Sequence, residues 1–116
     1  NYPKWRRITV RQLLNHTSGI YNYTLLPQFD HVTTTRNNHK QWTPQEIVAT
    51  VYHRKLYFQP AQGYRYSNTN YILLGMLIQK VTQQAVQQEL NRRLLRHDPL
   101  DLAHSYYLPG AYPHAG

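Results

Sequence analysis

Tyr66, Ser67 and Asn68 set a phenol, a hydroxyl and a carboxamide on three consecutive positions of a 116-residue chain. In a non-helical loop, side chains two positions apart emerge on the same side, so Tyr66 and Asn68 face one cleft while Ser67 points away. A phenol ionises at about pH 10 in water, so it works as a base near neutrality only with positive charge close by. The plainer reading of the same three residues is a helix N-cap after a turn, since Ser and Asn are preferred caps.

Serine needs a neighbouring group to remove its proton before it attacks a carbonyl, and no base stands beside Ser67 in sequence. The chain contains no Gly-x-Ser-x-Gly elbow. None of Lys4, Lys40, Lys55 or Lys80 follows a Ser or Thr by three positions, so a Ser-x-x-Lys pair is absent from these residues. Phosphate-loop and His-Glu-x-x-His patterns are missing too. The seven histidines, His16, His31, His39, His53, His97, His104 and His114, show no i, i+4 pairing and little carboxylate support. No metal site is expected of them, and most are read as surface residues.

The elements that must position Tyr66 and Asn68 announce themselves by caps. Thr9-Val10-Arg11-Gln12 has the form of a capping box and predicts a short helix, with Leu13 and Leu14 as its buried stripe. His16-Thr17-Ser18-Gly19 then reads as a loop, with Gly19 free to adopt positive φ. From Tyr21 to Gln41 no period is sustained, and the turn-forming run Thr33 to Asn38 marks a long surface excursion. Thr43-Pro44-Gln45-Glu46 is the clearest start signal, predicting a helix through about Arg54 with Ile47, Val48 and Val51 on its inner side. Pro60 to Gly63 is a turn, and Ser67 or Asn68 caps a largely buried helix from about Thr69 to Val81, on Tyr71, Leu74, Leu77, Ile78 and Val81. An amphipathic helix carrying Ala85, Val86, Leu90, Leu94 and Leu95 follows and stops at Pro99; residues 103–116 are expected to be extended or frayed. The leucine stripes are core and imply no cofactor.

Composition bounds the remaining possibilities. With 41% hydrophobic residues the chain can bury one modest core, and the expectation is a single domain over 1–116. The absence of cysteine excludes disulfides and thiolate metal sites. No apolar run approaches the roughly 20 residues that span a bilayer. Thirteen Lys and Arg against five Asp and Glu give a formal charge of +8, which favours polyanions through counterion release. The basic residues are scattered and form no nucleic-acid reading motif, so no specific nucleic-acid partner is expected.

Two longer stretches carry a resemblance. Ile8 to Ile20, with Leu13-Leu14-Asn15-His16-Thr17-Ser18-Gly19 at its heart, and Tyr66 to Gly75, beginning Tyr66-Ser67-Asn68, together resemble the serine β-lactamase and penicillin-binding-protein family. The branch is that of class C β-lactamases, D-alanyl-D-alanine carboxypeptidases and related esterases, and the likeness covers roughly Ile8 to Ser105. The resemblance implies a mainly α fold, the helical part of the β-lactamase/transpeptidase-like α/β fold. It also implies catalytic roles for Tyr66, in proton transfer, and for Asn68, in holding the substrate amide and the lysine of Ser-x-x-Lys. On that reading the chain is a fragment of a longer serine hydrolase that forms an acyl-enzyme with a β-lactam, a D-Ala-D-Ala peptide or an ester. The partner would be a small-molecule or peptide-like substrate, the compartment periplasmic or extracellular, and the 116 residues inert by themselves. The alternative is a non-catalytic binding module with a basic surface.

The chain departs from the family pattern in three places. Pro60-Ala61 stands for Pro-Gly, Gln83 for the glycine that closes the helix after Val-Thr, and Pro99-Leu100-Asp101-Leu102 for Pro-Leu-Gly-Met. Each swap loses a residue tolerant of positive φ, so the expectation is a reshaped turn or two helices running together.

Overall fold

A computed structural model of the chain describes residues 2–30, 41–95, 102 and 105. The turn-rich run 33–38, the stop at Pro99 and all of the tail 103–116 except Ser105 lie outside those residues. Among them the secondary structure is helical throughout, and the chain forms two compact units, Asn1–Met76 and Leu77–Gly116.

In the first unit, α1 (Val10–Leu14) starts where its capping box predicts. Thr9 Oγ1 accepts the Gln12 N–H at 3.2 Å and Gln12 Oε1 accepts the Thr9 N–H at 3.1 Å. Leu13 is buried but Leu14 is 58% exposed, against expectation. Neighbours on a helix point about 100° apart, and a five-residue helix can turn only one of two adjacent leucines inward. The helix closes at Asn15 and His16, whose φ of 59° does the work expected of Gly19 three residues early; Gly19 then turns the chain again at φ 78°.

The segment after Gly19 is not wholly a surface excursion. Ile20 and Leu26 are buried, and 3-10 turns form at Tyr23–Leu25 and Pro27–Phe29. Asn22 Oδ1 caps the first by accepting the Thr24 N–H and hydroxyl, and Pro27 begins the second. Apolar residues carried by tight turns reach the core without any period, which is why periodicity missed them.

Helix α2 (Pro44–Tyr52) has the expected box between Thr43 and Glu46 and buries Ile47, Val48 and Val51, ending two residues short of Arg54. Val48 and Val51 join Trp5, Leu13, Ile20 and Leu26 in one core, flanked by the ring cluster Tyr2, Trp5 and Tyr52 with centroids 5.1–5.6 Å apart.

Two of the three glycine swaps, Ala61 and Gln83, fall on described residues, and Asp101 lies outside them. Ala61 holds φ 70° and Gln83 holds φ 56°, so each turn keeps the left-handed conformation that glycine would adopt freely. The steric strain of a side chain at that φ is borne, roughly 1–2 kcal/mol per residue, and the two helices do not run together. Helix α3 (Asn68–Thr82) stops before Gln83, and α4 (Val86–Leu90) starts separately.

Helix α3 is less buried than its apolar period predicts. Only Thr69 and Asn70 are fully buried, while Tyr71, Ile78 and Val81 are exposed. Ile72, Leu73, Leu74 and Met76 pack at the edge of the first unit's core. A periodic stripe states which face seeks a partner, but burial requires that partner, and among the described residues Val81 stays 74% exposed and Ile78 36%. In the second unit α4 passes into a π-helical turn at Asn91–Leu95 where one regular helix was expected. Leu90, Leu94 and Leu95 recur at a spacing that either winding accommodates. Gln88 reaches back to the Ala85 N–H at 3.4 Å, and Glu89 pairs with Arg93 at 2.6 Å and Arg92 at 3.0 Å. No helix among the described residues is long and apolar enough to cross a membrane.

Candidate active site

Tyr66 and Asn68 come together at the start of α3. The Tyr66 hydroxyl donates to Asn68 Oδ1 at 3.2 Å, and the phenol is 49% exposed. Ser67 between them is fully buried, and its hydroxyl has no hydrogen-bond partner among the described residues. The two outer side chains thus lie side by side, with Asn68 already the first residue of α3.

The loop after Gly19 holds Asn68 from the other side. Asn22 Oδ1 accepts the Asn68 backbone N–H at 3.1 Å, and Asn68 Nδ2 donates to Thr24 Oγ1 at 3.4 Å. Thr69 Oγ1 donates to the Tyr21 carbonyl at 2.7 Å and accepts the Tyr23 N–H at 3.0 Å, pinning the first turn of α3 to the same loop. The Asn68 carboxamide therefore has both ends engaged, its oxygen by the phenol and its nitrogen by a threonine.

Beneath the pair lies His16, which is buried and not at the surface as expected; His53, the other described histidine, is exposed. Histidine is carried inward here because the left-handed residue that ends α1 turns it toward the first turn of α3. Its Nδ1 accepts the Ser67 backbone N–H at 3.2 Å and lies 3.2 Å from Asn70 Nδ2, and its Nε2 lies 3.4 Å from the Tyr71 hydroxyl. Asn70, fully buried, has its oxygen taken by the Ser18 hydroxyl at 2.9 Å, which leaves its amide nitrogen facing the ring. The Ser18 oxygen also accepts the Ile20 N–H at 3.2 Å. Backbone bonds from Arg65 N–H to the His16 carbonyl and from Ala61 N–H to the Thr17 carbonyl, at 3.0 and 2.9 Å, lay the approach to Tyr66 along the His16-to-Gly19 loop.

His16, Ser18, Asn22, Thr24 and Asn70 were not singled out as site residues by sequence reasoning. No local signal marks them, since His16, Ser18 and Asn22 meet their partners 51, 52 and 46 residues later, in and before α3. No group of three or more His, Cys, Asp or Glu side chains suited to a metal occurs among the described residues.

A helical scaffold that offers a paired phenol and carboxamide on a polar, buried floor is the helical part of a β-lactamase-like fold. The chain belongs to the Beta-lactamase family, whose family model matches residues 1–115. It is 36% identical over 80 residues to penicillin-binding protein 4* of Bacillus subtilis strain 168, covering 67% of this chain and 17% of that protein. It is 34% identical over 100 residues to protein flp of Staphylococcus aureus strain MW2, covering 86% of this chain and 18% of that protein. Among solved structures, a D-stereospecific amidohydrolase from Streptomyces sp. superposes with a TM-score of 0.75 at 41% identity, over 84% of this chain and 29% of the other. The D-amino acid amidase from Ochrobactrum anthropi SV3 complexed with D-phenylalanine gives 0.64 at 35% identity, over 80% and 24%. The chain thus spans less than a third of the length of each of these proteins.

Proposed function

We propose that this chain forms one wall of the active site of a serine hydrolase or acyl transferase that works through an acyl-enzyme. Tyr66 is the proton-transfer residue, and Asn68 positions the substrate amide. The observation that carries the reading is the 3.2 Å contact between the half-exposed Tyr66 hydroxyl and Asn68 Oδ1, with the Tyr66 ring backed by buried His16 and Asn68 held by half-buried Asn22 and exposed Thr24. Because these residues contain no Ser-x-x-Lys pair, the nucleophile and the lysine that would bring positive charge to the phenol belong to sequence outside 1–116.

The substrate is a β-lactam, a peptide-like amide or an ester. The names of the relatives, a penicillin-binding protein and two D-stereospecific amide hydrolases, favour an acyl group of D configuration or its β-lactam analogue. Such substrates favour the periplasm or the outside of the cell as the compartment. The test is intact-mass spectrometry of the full-length protein after incubation with a penicillin and with a fluorophosphonate. A single adduct mapping to a serine outside 1–116, with none on the isolated chain, is the expected result; labelling of the isolated chain, or no adduct on a folded full-length protein, overturns it. The formal charge of +8 supports a second reading, a non-catalytic surface for polyanions, under which the unlabelled protein binds heparin and is released steeply by salt.

A further inference from the structure

His16 lies against the Tyr66 ring and holds the backbone N–H of Ser67, the residue between Tyr66 and Asn68. We infer that His16 is a positioning residue, which sets the spacing of the Tyr66 and Asn68 side chains by accepting the Ser67 amide N–H. The inference rests on the proposed function for its catalytic meaning and on geometry for the rest.

The ring's tautomer follows from its neighbours. A backbone N–H can only donate, so Nδ1 must be the accepting nitrogen and the ring proton sits on Nε2, facing the Tyr71 hydroxyl. Asn70 is oriented to agree: the Ser18 hydroxyl takes its oxygen, and its amide nitrogen supplies a second donor to Nδ1. The ring face lies 4.4 Å from the Tyr66 ring, centroid to centroid, at 32°, so the same side chain that fixes the peptide also backs the phenol. Ser18, Asn70 and His16 form a buried relay that runs from the loop after α1 to the peptide linking the two site residues. Groups that hold a reacting pair matter because a displacement of about 1 Å can cost on the order of a hundredfold in rate.

The left-handed φ of His16 makes the test clean. Glycine at 16 relieves the backbone and removes the acceptor; asparagine tolerates the same φ and returns an oxygen where Nδ1 was. In the full-length protein, His16→Gly is expected to lower the rate of acylation by penicillin about tenfold to a hundredfold, while His16→Asn restores it to within about threefold of wild type. Equal rates for His16→Gly and wild type overturn the inference, as does a failure of asparagine to rescue a folded variant. Two further readouts need neither variant nor turnover. Long-range proton–nitrogen NMR of the ring should show a bare Nδ1, and the Ser67 amide should exchange slowly with solvent; a proton on Nδ1, or fast exchange, overturns the inference. A wild-type protein that is never acylated removes the catalytic reading alone, and the tautomer and the Ser67 exchange then decide whether His16 holds this peptide.

Discussion

The first unit, up to Met76, and the second, from Leu77, are built from the same kinds of sequence signal and differ in what they bury. In the first, seven apolar side chains from Trp5 to Val51 are buried, together with His16, Ser18, Ser67, Thr69 and Asn70. In the second, Glu89 is the one buried side chain among the described residues, and Leu77, Ile78, Val81, Val86, Leu90 and Leu94 line an open apolar groove. A helical period therefore marks a face that seeks burial, while polar groups become fixed only where a core already surrounds them. The candidate site stands at the buried end of α3 for that reason.

The comparison is broken most severely at Gly19. Its φ of 78° is hostile to side chains, and an added Cβ would collide with the Phe58 carbonyl oxygen, a backbone atom that cannot swing aside. Gly19→Ala should cost roughly 2–4 kcal/mol of stability by urea unfolding, from left-handed strain plus overpacking. A loss within about 0.5 kcal/mol would show that the loop from His16 to Gly19 is not rigidly held. Next come matched truncations of one residue type. Val48→Ala, at 0% exposure, should cost roughly 1.5–3 kcal/mol, and Val81→Ala, at 74%, should stay within about 0.5 kcal/mol. Similar losses at the two positions would mean that the groove of the second unit is covered in solution.

Glycine placed at the two strained turns should act in the opposite direction. Ala61→Gly and Gln83→Gly each relieve a positive φ and are expected to raise stability by about 0.5–1 kcal/mol, the relief being partly offset by a more flexible unfolded chain. A destabilisation at either position in a thermal melt would show that the turn is not left-handed.

The smallest effects separate the units by pH. The Arg93 guanidinium, with help from Arg92, holds the Glu89 carboxyl below its ordinary value of 4.5. The unfolded chain therefore binds the proton first, and this contribution is complete above 4.5 and lost as pH falls below it. Burial pushes the Tyr23 phenol above 10.0, so its contribution is complete below 10.0 and lost as pH rises past that value. Melts across both ranges should show Glu89→Gln flattening only the acid slope and Tyr23→Phe only the alkaline one.

Much of this was legible in the sequence, and the residues show why. Thr9 with Gln12 and Thr43 with Glu46 act within four residues, so local chemistry alone predicts both helix starts. The pairing of Tyr66 with Asn68 spans only two positions, so it too lies within reach of a local reading. What stayed hidden depends on distance along the chain: His16 meets Ser67 51 residues later, Ser18 meets Asn70 52 later, and Asn22 meets Asn68 46 later. The burial of Leu26 and the exposure of Val81 were hidden for the same reason, since each is set by neighbours that no local pattern names.

The central claim is that Tyr66 moves the proton, and the most direct measurement is the rate of acylation of the full-length protein by penicillin with Tyr66 and with Tyr66→Phe. The phenol is half-exposed, and its single described hydrogen bond is to Asn68, so the variant should fold and melt as wild type does. The account predicts a rate lower by about a hundredfold to ten-thousandfold, the usual worth of a positioned proton-transfer group. A folded Tyr66→Phe protein acylated as fast as wild type would contradict it.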